Sequence, residues 1–579
     1  STASNKITNI LLTQKTTTDK SKGLSTTGQY KYDAYGNITQ EIISYGNGLS
    51  TTKNNTYQNI TKDLVYILGL PLTEQSITAR NGGTSTNRTV MTYNTQYFPI
   101  SKTYYVANTN KIKEEKFEYN SINQLIRTRT KYYSSPNEQI VGYEYNSNGQ
   151  LSSQTDPLGL KETYTYNGKG LLSAVQNHKN KKTSFDYDPW GRKIKSTYAD
   201  GSISTSTASW ASSPTNALIV INESSTGQPD TQTYLDALNR EVRTGEKCFD
   251  GQYLYVDNLY DNQGHLSKTS YPCKGTPGLW QIYSYDNYDR ITKVVYPTGR
   301  QETYSYSGLT TTSAINGIST KQIYNAIGDL IKVEDSSGSI TYNYRPDGQL
   351  SSIIAPGNIT TSFSYDTYGR QTQLTDPSAG STTFTYDAAG NTNSKTDANG
   401  KATRMTYDTY NRLTKLEYVG ELTTNYAYNT DGLITSEQSN NGTSKTYMYD
   451  DLFRLSVEKE VIVDGKWLQK YYLYNNGNIS SVNYLSQSGN ITTEYFKYTN
   501  GNLSEIKLND SISIWKLTGE NNQGLPTAYT TGILSRTQTY DTDGRVTSII
   551  AKKNTTSIQN FGCSFIATTS NLDWRSDAK

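Results

Sequence analysis

The stretch FTYDAAGNTNSKTDANGKATRMTYDTYNRL, Phe384–Leu413, holds one pair twice: Tyr386-Asp387 and, 21 residues later, Tyr407-Asp408. A phenol beside a carboxylate suits acid–base chemistry, and it suits the end of a hairpin equally well. Recurrence decides between the two. Tyr344, Tyr365, Tyr386, Tyr407, Tyr428 and Tyr449 follow one another at steps of 21, and Tyr145, Tyr166 and Tyr187 keep the same step earlier in the chain. Tyr260 and Tyr285 head two further copies. Self-similarity at a fixed period marks a repeat architecture, and no copy differs from its siblings as a catalytic one would. The pair is a building unit.

Each unit reads as two strands and two turns. Two positions before the tyrosine stands another large apolar residue (Tyr143, Tyr164, Phe185, Tyr342, Phe363, Phe384, Met405, Tyr426, Tyr447), which puts both side chains on one face of a strand. Asp or Asn follows the tyrosine, and Gly usually stands four places after it, as in Gly149, Gly191, Gly264, Gly369 and Gly390. Asp caps a turn through its own backbone, and Gly accepts the positive φ of a type I turn with a bulge. An aliphatic residue then resumes the buried face at Leu151, Leu172, Leu266, Ile291, Leu330, Leu350, Leu413 and Leu455. A second turn lies opposite, at Asp156, Asp376 and Asp397.

Composition agrees. The 579 residues include 51 Tyr against 10 Phe, and apolar residues make up only 33%, too few for a thick two-sided core. Ser, Thr, Asn and Gly fill the difference, so the chain is read as all-β. Strands sit about 4.8 Å apart, so some twenty repeats give a ribbon of about 200 Å, which must curl, split or close. Curling would stack the Tyr rungs, with offset or edge-to-face contacts between neighbouring phenols, and leave their hydroxyls free to face water. The expected boundaries are 1–115 for irregular, degenerate repeats, 116–550 for regular ones and 551–579 for a tail or incomplete repeat. After Tyr32 the next rungs are expected at Tyr57 and Tyr93.

The unit Y-[D/N]-x-x-G-[R/N/Q]-[L/I] is written as YDAYGNI (32–38), YDPWGRK (187–193), YDNQGHL (260–266), YDNYDRI (285–291), YDTYGRQ (365–371) and YDTDGRV (540–546). It resembles the YD repeat of the RHS-repeat proteins, which include bacterial polymorphic toxins, the B and C components of insecticidal toxin complexes, and the teneurins. The resemblance runs from about Tyr30 to Val546. It implies a β-ribbon spiralled into a hollow cage, bacterial and secreted or at the cell surface. The implied partner is an enclosed or adjoining polypeptide; in the teneurin-like alternative the partner is a cell-surface protein or glycan. Phe453 departs from the pattern at the turn Gly, and Arg345 at the Asp. The chain ends in NLDWRSDAK without the core region in which some relatives cleave themselves, so no cleavage residue is carried over, and a fragment of a longer protein is expected.

Other chemistry finds little support. Charges nearly cancel (55 basic, 52 acidic), so no nucleic-acid partner is expected. The longest apolar run, LVYILGLPL at Leu64–Leu72, is about half of what spans a bilayer, so no transmembrane segment is expected. Two histidines exist. His265 occupies a place taken elsewhere by Arg, Asn or Gln and reads as a surface strand residue; His178 reads as loop. Asp541 and Asp543 begin like a calcium loop but lack its later ligands, and the G-x-G pairs Gly46/Gly48 and Gly168/Gly170 lack a third Gly and a helix. No catalytic, cofactor-binding or metal residue is expected, and no enzyme. Cys248 and Cys273 hold equivalent positions in adjacent repeats, about 9.6 Å apart in a flat ribbon and beyond disulfide reach. Both lie beside turns whose tips can bend together, so a disulfide in an oxidising compartment is expected, with two free thiols as the alternative. Trp190 and Trp280 are candidate surface contacts.

Overall fold

The computed structural model describes residues 10–62, 65–315, 317–565 and 572–578. Among them lie forty-nine strands and one short 3-10 turn, Pro356–Asn358. The chain divides into two compact units, the first from Ser1–Leu160, Ser305–Ser313 and Ser319–Tyr426, the second from Lys161–Tyr304, Ala314–Ile318 and Ala427–Lys579.

Within each unit, strands pair antiparallel in chain order. In the first, Ile359–Tyr365 pairs with Gln371–Asp376, which pairs with Gly380–Tyr386, which pairs with Thr392–Thr396. In the second, Lys182–Tyr187 pairs with Lys193–Thr197 and that with Ile203–Trp210. Sequential hairpins are the topology that a run of turn signals dictates, since no crossover helix separates the strands. A register shift falls immediately before the repeat tyrosine, at Ser364/Tyr365, Thr385/Tyr386 and Thr406/Tyr407 in the first unit and Asp186/Tyr187, Leu259/Tyr260 and Ser284/Tyr285 in the second. This is the expected bulge: Asp366 N–H donates to Arg370 O (2.8 Å) and Gly369 N–H to Asp366 O (3.1 Å). Gly369 has φ +79°, and where Gly is replaced the substitute keeps the left-handed conformation: Asp289 at +62°, Asn411 at +64° and Phe453 at +65°.

The core is thin. Buried apolar residues among those described are mostly small or medium, such as Ala174, Val242, Val294 and Ala551, and no large side chain is fully buried. The Tyr face is half-buried and the residue between the two large ones is exposed, as in Phe363-Ser364-Tyr365 and Phe384-Thr385-Tyr386. Hairpins are longer near the start, where Leu49–Lys62 and Val65–Arg80 pair. Strands also occupy the segment expected to be a tail, Thr556–Phe565 pairing with Leu572–Ala578.

The ribbon returns beside itself inside each unit. In the first, Arg80 meets Asp329, and Ser134 N–H donates to Ala388 O (3.1 Å). In the second, His178 and Lys179 meet Asp431, Asp200 meets Arg454, and Lys274 meets Glu520. Partners are separated by 246 residues at Lys274–Glu520 and by 254 at Asp200–Arg454, so stretches some twelve repeats apart lie tip to tip.

Candidate functional site

The candidate functional element is the joint between one repeat and the next. Its centre is the turn carboxylate. Asp366 Oδ1 accepts the N–H groups of Tyr368 and Arg370 (both 2.9 Å), and Oδ2 accepts Arg370 Nε (2.7 Å). The same three bonds form at Asp286 and Asp408. The arginine that the carboxylate holds then lies over the ring of the following repeat: Arg370 over Tyr386 at 4.5 Å, Arg240 over Tyr260 at 4.3 Å, Arg454 over Tyr474 at 4.4 Å and Arg545 over Phe565 at 4.6 Å. A guanidinium fits because it offers an edge to the carboxylate and a face to the ring. Phe98 fills the same slot against Tyr119 (5.4 Å) and His265 against Tyr285 (4.7 Å).

The ring's hydroxyl is not free, contrary to expectation. Tyr365, Tyr386 and Tyr407 donate to the backbone oxygens of Leu350 (2.9 Å), Gln371 (2.6 Å) and Thr392 (3.0 Å) of the preceding repeat. Tyr145, Tyr187, Tyr260, Tyr285 and Tyr344 bond Leu125, Leu172, Glu241, Leu266 and Leu330 in the same way. Tyr57 and Tyr93, the rungs expected in the irregular region, bond Ile38 O and Pro71 O. Tyr166, Tyr428 and Tyr449 occupy the same half-buried place. The acceptor sits at the bulge: Tyr365 faces Gln371 while Ser364 faces Gln373, and the ladder to the next strand starts only at Gln373↔Thr383. The Gln371 carbonyl is therefore left for a side chain to satisfy. Burial raises the phenols of Tyr365, Tyr386 and Tyr407 above their usual range, keeping them protonated donors. In place of the expected stacking on a neighbouring phenol, each ring meets a guanidinium: Arg345 lies over Tyr365 at 4.9 Å and Arg370 over Tyr386 at 4.5 Å.

His265 corrects the surface-strand expectation. Its ring bonds Asp261 Oδ2 through Nδ1 (3.1 Å) and Asp289 Oδ1 through Nε2 (2.9 Å), and its side chain is 15% exposed. The bonds to Asp289 and Asp261 raise its affinity for a proton. Since the folded value lies above the ordinary 6.5, the stabilisation is complete below about pH 6.5 and is lost as pH rises through the folded value. Raising the pH from 6 to 8 is expected to lower the unfolding midpoint of the native chain more than that of His265→Arg, whose charge persists. Parallel pH profiles for the two proteins would refute this.

His178 is in a turn, as expected, but docked: Nε2 lies 2.8 Å from Asp431 Oδ1 and its ring stacks on Phe453 at 5.3 Å. The expected disulfide is not formed, because the two thiols point to different places. Cys273 pairs through its backbone with Tyr255 and its Sγ lies 3.4 Å from Thr276 O, while buried Cys248 faces Gly524, whose added Cβ would stand 3.7 Å from the sulfur. Burial raises both thiols above their ordinary range. Asp541 is consumed by its own turn, bonding Asp543 N–H, Arg545 N–H and Arg545 Nε. Trp190 is 80% exposed at a turn tip, whereas Trp280 is half-buried under Lys268 Nζ (4.4 Å). Trp210, 77% exposed, went unnoticed in the sequence because it lies where the repeat pattern lapses.

No helix among the described residues is long and apolar enough to cross a membrane. Residues 2–201 match the teneurin YD-shell family, and residues 344–381, 365–402 and 386–420 match the RHS repeat. A tRNA3(Ser)-specific nuclease WapA of Bacillus spizizenii is 27% identical over 236 residues, and the tRNA nuclease WapA of Bacillus subtilis 25%. Those matches cover 40% of this chain and 8% of each nuclease. Among solved structures, a TcdB2-TccC3-Cdc42 crystal structure has a TM-score of 0.63 at 10% identity, covering 96% of this chain and 42% of that one. A Photorhabdus luminescens Tc holotoxin pore gives 0.61 at 10% identity, covering 96% and 41%. These are likenesses of fold. With its Tyr-Asp joints seen, the chain is similar in its repeats to the RHS/YD-repeat proteins, over residues 2–201 to the teneurin YD-shell and over residues 344–381, 365–402 and 386–420 to the RHS repeat.

Proposed function

We propose that the chain is a structural wall, part of a toxin-associated shell that encloses or presents another polypeptide segment, and that its own chemistry is mechanical. The observation that carries this is the joint. Carboxylate, guanidinium, phenol and backbone carbonyl are all spent on binding one repeat to its neighbours, so a sheet without a thick core holds its form. The seam contacts inside each unit add stiffness across the ribbon. Similarity to TccC3-containing structures and to the WapA nucleases supports a bacterial, secreted setting. Nuclease activity belongs to those relatives, and no residue here is assigned to it.

Limited proteolysis tests the reading, on the natural protein isolated with whatever polypeptide accompanies it. That polypeptide is expected to resist protease while the ribbon is intact and to be digested once the seam is opened by Lys274→Ala. Equal digestion with and without an intact ribbon would overturn the proposal.

A further inference from the structure

In the second unit, three successive hairpin tips on one edge differ from all the tips that meet at the seam. The first is Asp188–Arg192, carrying Trp190. The second is the loop 211–218, closed by Ala211 N–H to Leu218 O (3.0 Å), which replaces a Tyr-Asp turn, carries Leu218 and follows directly on Trp210, the last residue of its strand. The third is Asp236–Arg240, carrying Leu238. They are neighbours because Trp210 pairs with Ile219 and Ile219 with Leu235, so each tip lies two strands, about 9.6 Å, from the next. Trp190, Trp210 and Leu238 are 80%, 77% and 73% exposed, and Leu218 43%.

Such an edge is unsuited to another run of ribbon. At the seam of this unit tips such as those at Phe249 and Gln228 approach to backbone contact: Asn500 Nδ2 donates to Phe249 O (3.1 Å), and a Cβ on Gly501 would stand 2.1 Å from the backbone of Gln228. Tryptophan tips allow no such approach. The edge's exposed charge is mainly basic near Trp190. Asp188 and Asp236 are each 10% exposed and neutralised by Arg192 and Arg240, while Arg192 is 63% exposed and Lys169 and Lys193 are exposed beside it, three cations against one exposed acid near the first tip, Asp186, and another, Glu241, at the far tip. Arg192 lies 5.2 Å from the Trp190 ring, and Lys169 Nζ reaches Pro189 O (3.1 Å), so cation and indole are presented together. Indoles with adjacent cations are the side chains that settle at the headgroup level of a bilayer, the cations meeting anionic lipid.

We propose that the tips bearing Trp190, Trp210, Leu218 and Leu238 form a docking edge for a membrane surface containing anionic lipid. The test is co-sedimentation of the whole chain with mixed phosphatidylcholine–phosphatidylglycerol vesicles and with phosphatidylcholine alone, together with the tryptophan emission. Binding is expected to favour the mixed vesicles, to weaken with salt and in Lys193→Gln, and to shift the emission to the blue. The double variant Trp190→Ala/Trp210→Ala is expected to bind about tenfold more weakly. Met448→Ala, which removes a side chain 64% exposed elsewhere in the unit, is expected to bind as the native chain does. All four side chains are exposed, so an unchanged circular dichroism spectrum establishes that the variants fold. The proposal fails if neither vesicle binds, if the double variant binds as well as Met448→Ala, or if a soluble polysaccharide shifts the emission and vesicles do not.

Discussion

Lys274→Ala is expected to destabilise the second unit by about 3–5 kcal/mol, the range for removing one member of a buried ion pair. The Lys274 side chain is 4% exposed and lies 2.8 Å from Glu520 and 3.0 Å from Asp250, whose side chains are 10% and 37% exposed. Burial alone would lower its proton affinity, but the two carboxylates more than offset that, and the ammonium is held above its ordinary range. Truncation leaves Glu520 charged and nearly dry. Asp250 reaches water and loses little. The backbone bond from Lys274 N–H to Asn522 O (2.7 Å) ties the same two tips, so they should part together when the ammonium goes. Cys248 reports the event. It is buried and faces Gly524, two residues beyond Asn522, so its thiol reacts only when the tips separate. Maleimide labelling of Cys248, mapped by mass spectrometry, should accelerate by about two to three and a half orders of magnitude, since each 1.4 kcal/mol is about tenfold in an opening equilibrium. The double variant Lys274→Met/Glu520→Gln should recover most of the loss, because the uncompensated charge is then gone. Unchanged labelling at Cys248 in Lys274→Ala would remove the seam from the account of stability.

The seam was illegible in the sequence, and for a physical reason. Its contacts join residues near 250 apart, and many of their acceptors are backbone carbonyls: Asn500 finds Phe249 O, and Asn81 finds Tyr344 O. A carbonyl has no letter. Asn and Gly at the tips had already been explained by turn chemistry, so their second use added no further signal. Phe453 shows the converse. It read as a defect in the turn, yet it tolerates φ +65° where its ring packs on His178 and lies 5.1 Å from Lys179 Nζ. The hairpin order and the bulge, by contrast, are local consequences of spacing, and Tyr, Asp and Gly announced both. Arginine after the turn Gly was visible as a pattern without a role, because the role needs the ring of the next repeat. The cysteines misled because equivalent positions along a repeat were taken for proximity, while their sulfurs follow different neighbours.

The triple variant Tyr365→Phe/Tyr386→Phe/Tyr407→Phe is expected to lower stability of the first unit by about 3 kcal/mol, about 1 kcal/mol for each hydroxyl. The substitution separates two explanations of why Tyr outnumbers Phe 51 to 10. If the ring alone matters, for burial or for the face it offers to Arg370, phenylalanine serves as well, as Phe565 does under Arg545. If the hydroxyl matters, its loss leaves the carbonyls of Leu350, Gln371 and Thr392 without their donors, half-buried at bulges where the strand ladder supplies no substitute. The three joints lie one repeat apart and share no donor or acceptor, so their costs should sum within a few tenths of a kcal/mol. Tyr410→Phe is the control: a phenol 41% exposed at a turn tip, whose change should stay within about 0.5 kcal/mol. Urea unfolding with matched slopes reads both. A triple variant as stable as the control would mean that the hydroxyl-to-carbonyl bonds do not brace the wall, and the Tyr excess would then have to be explained by the exposed surface of the ribbon instead of its joints.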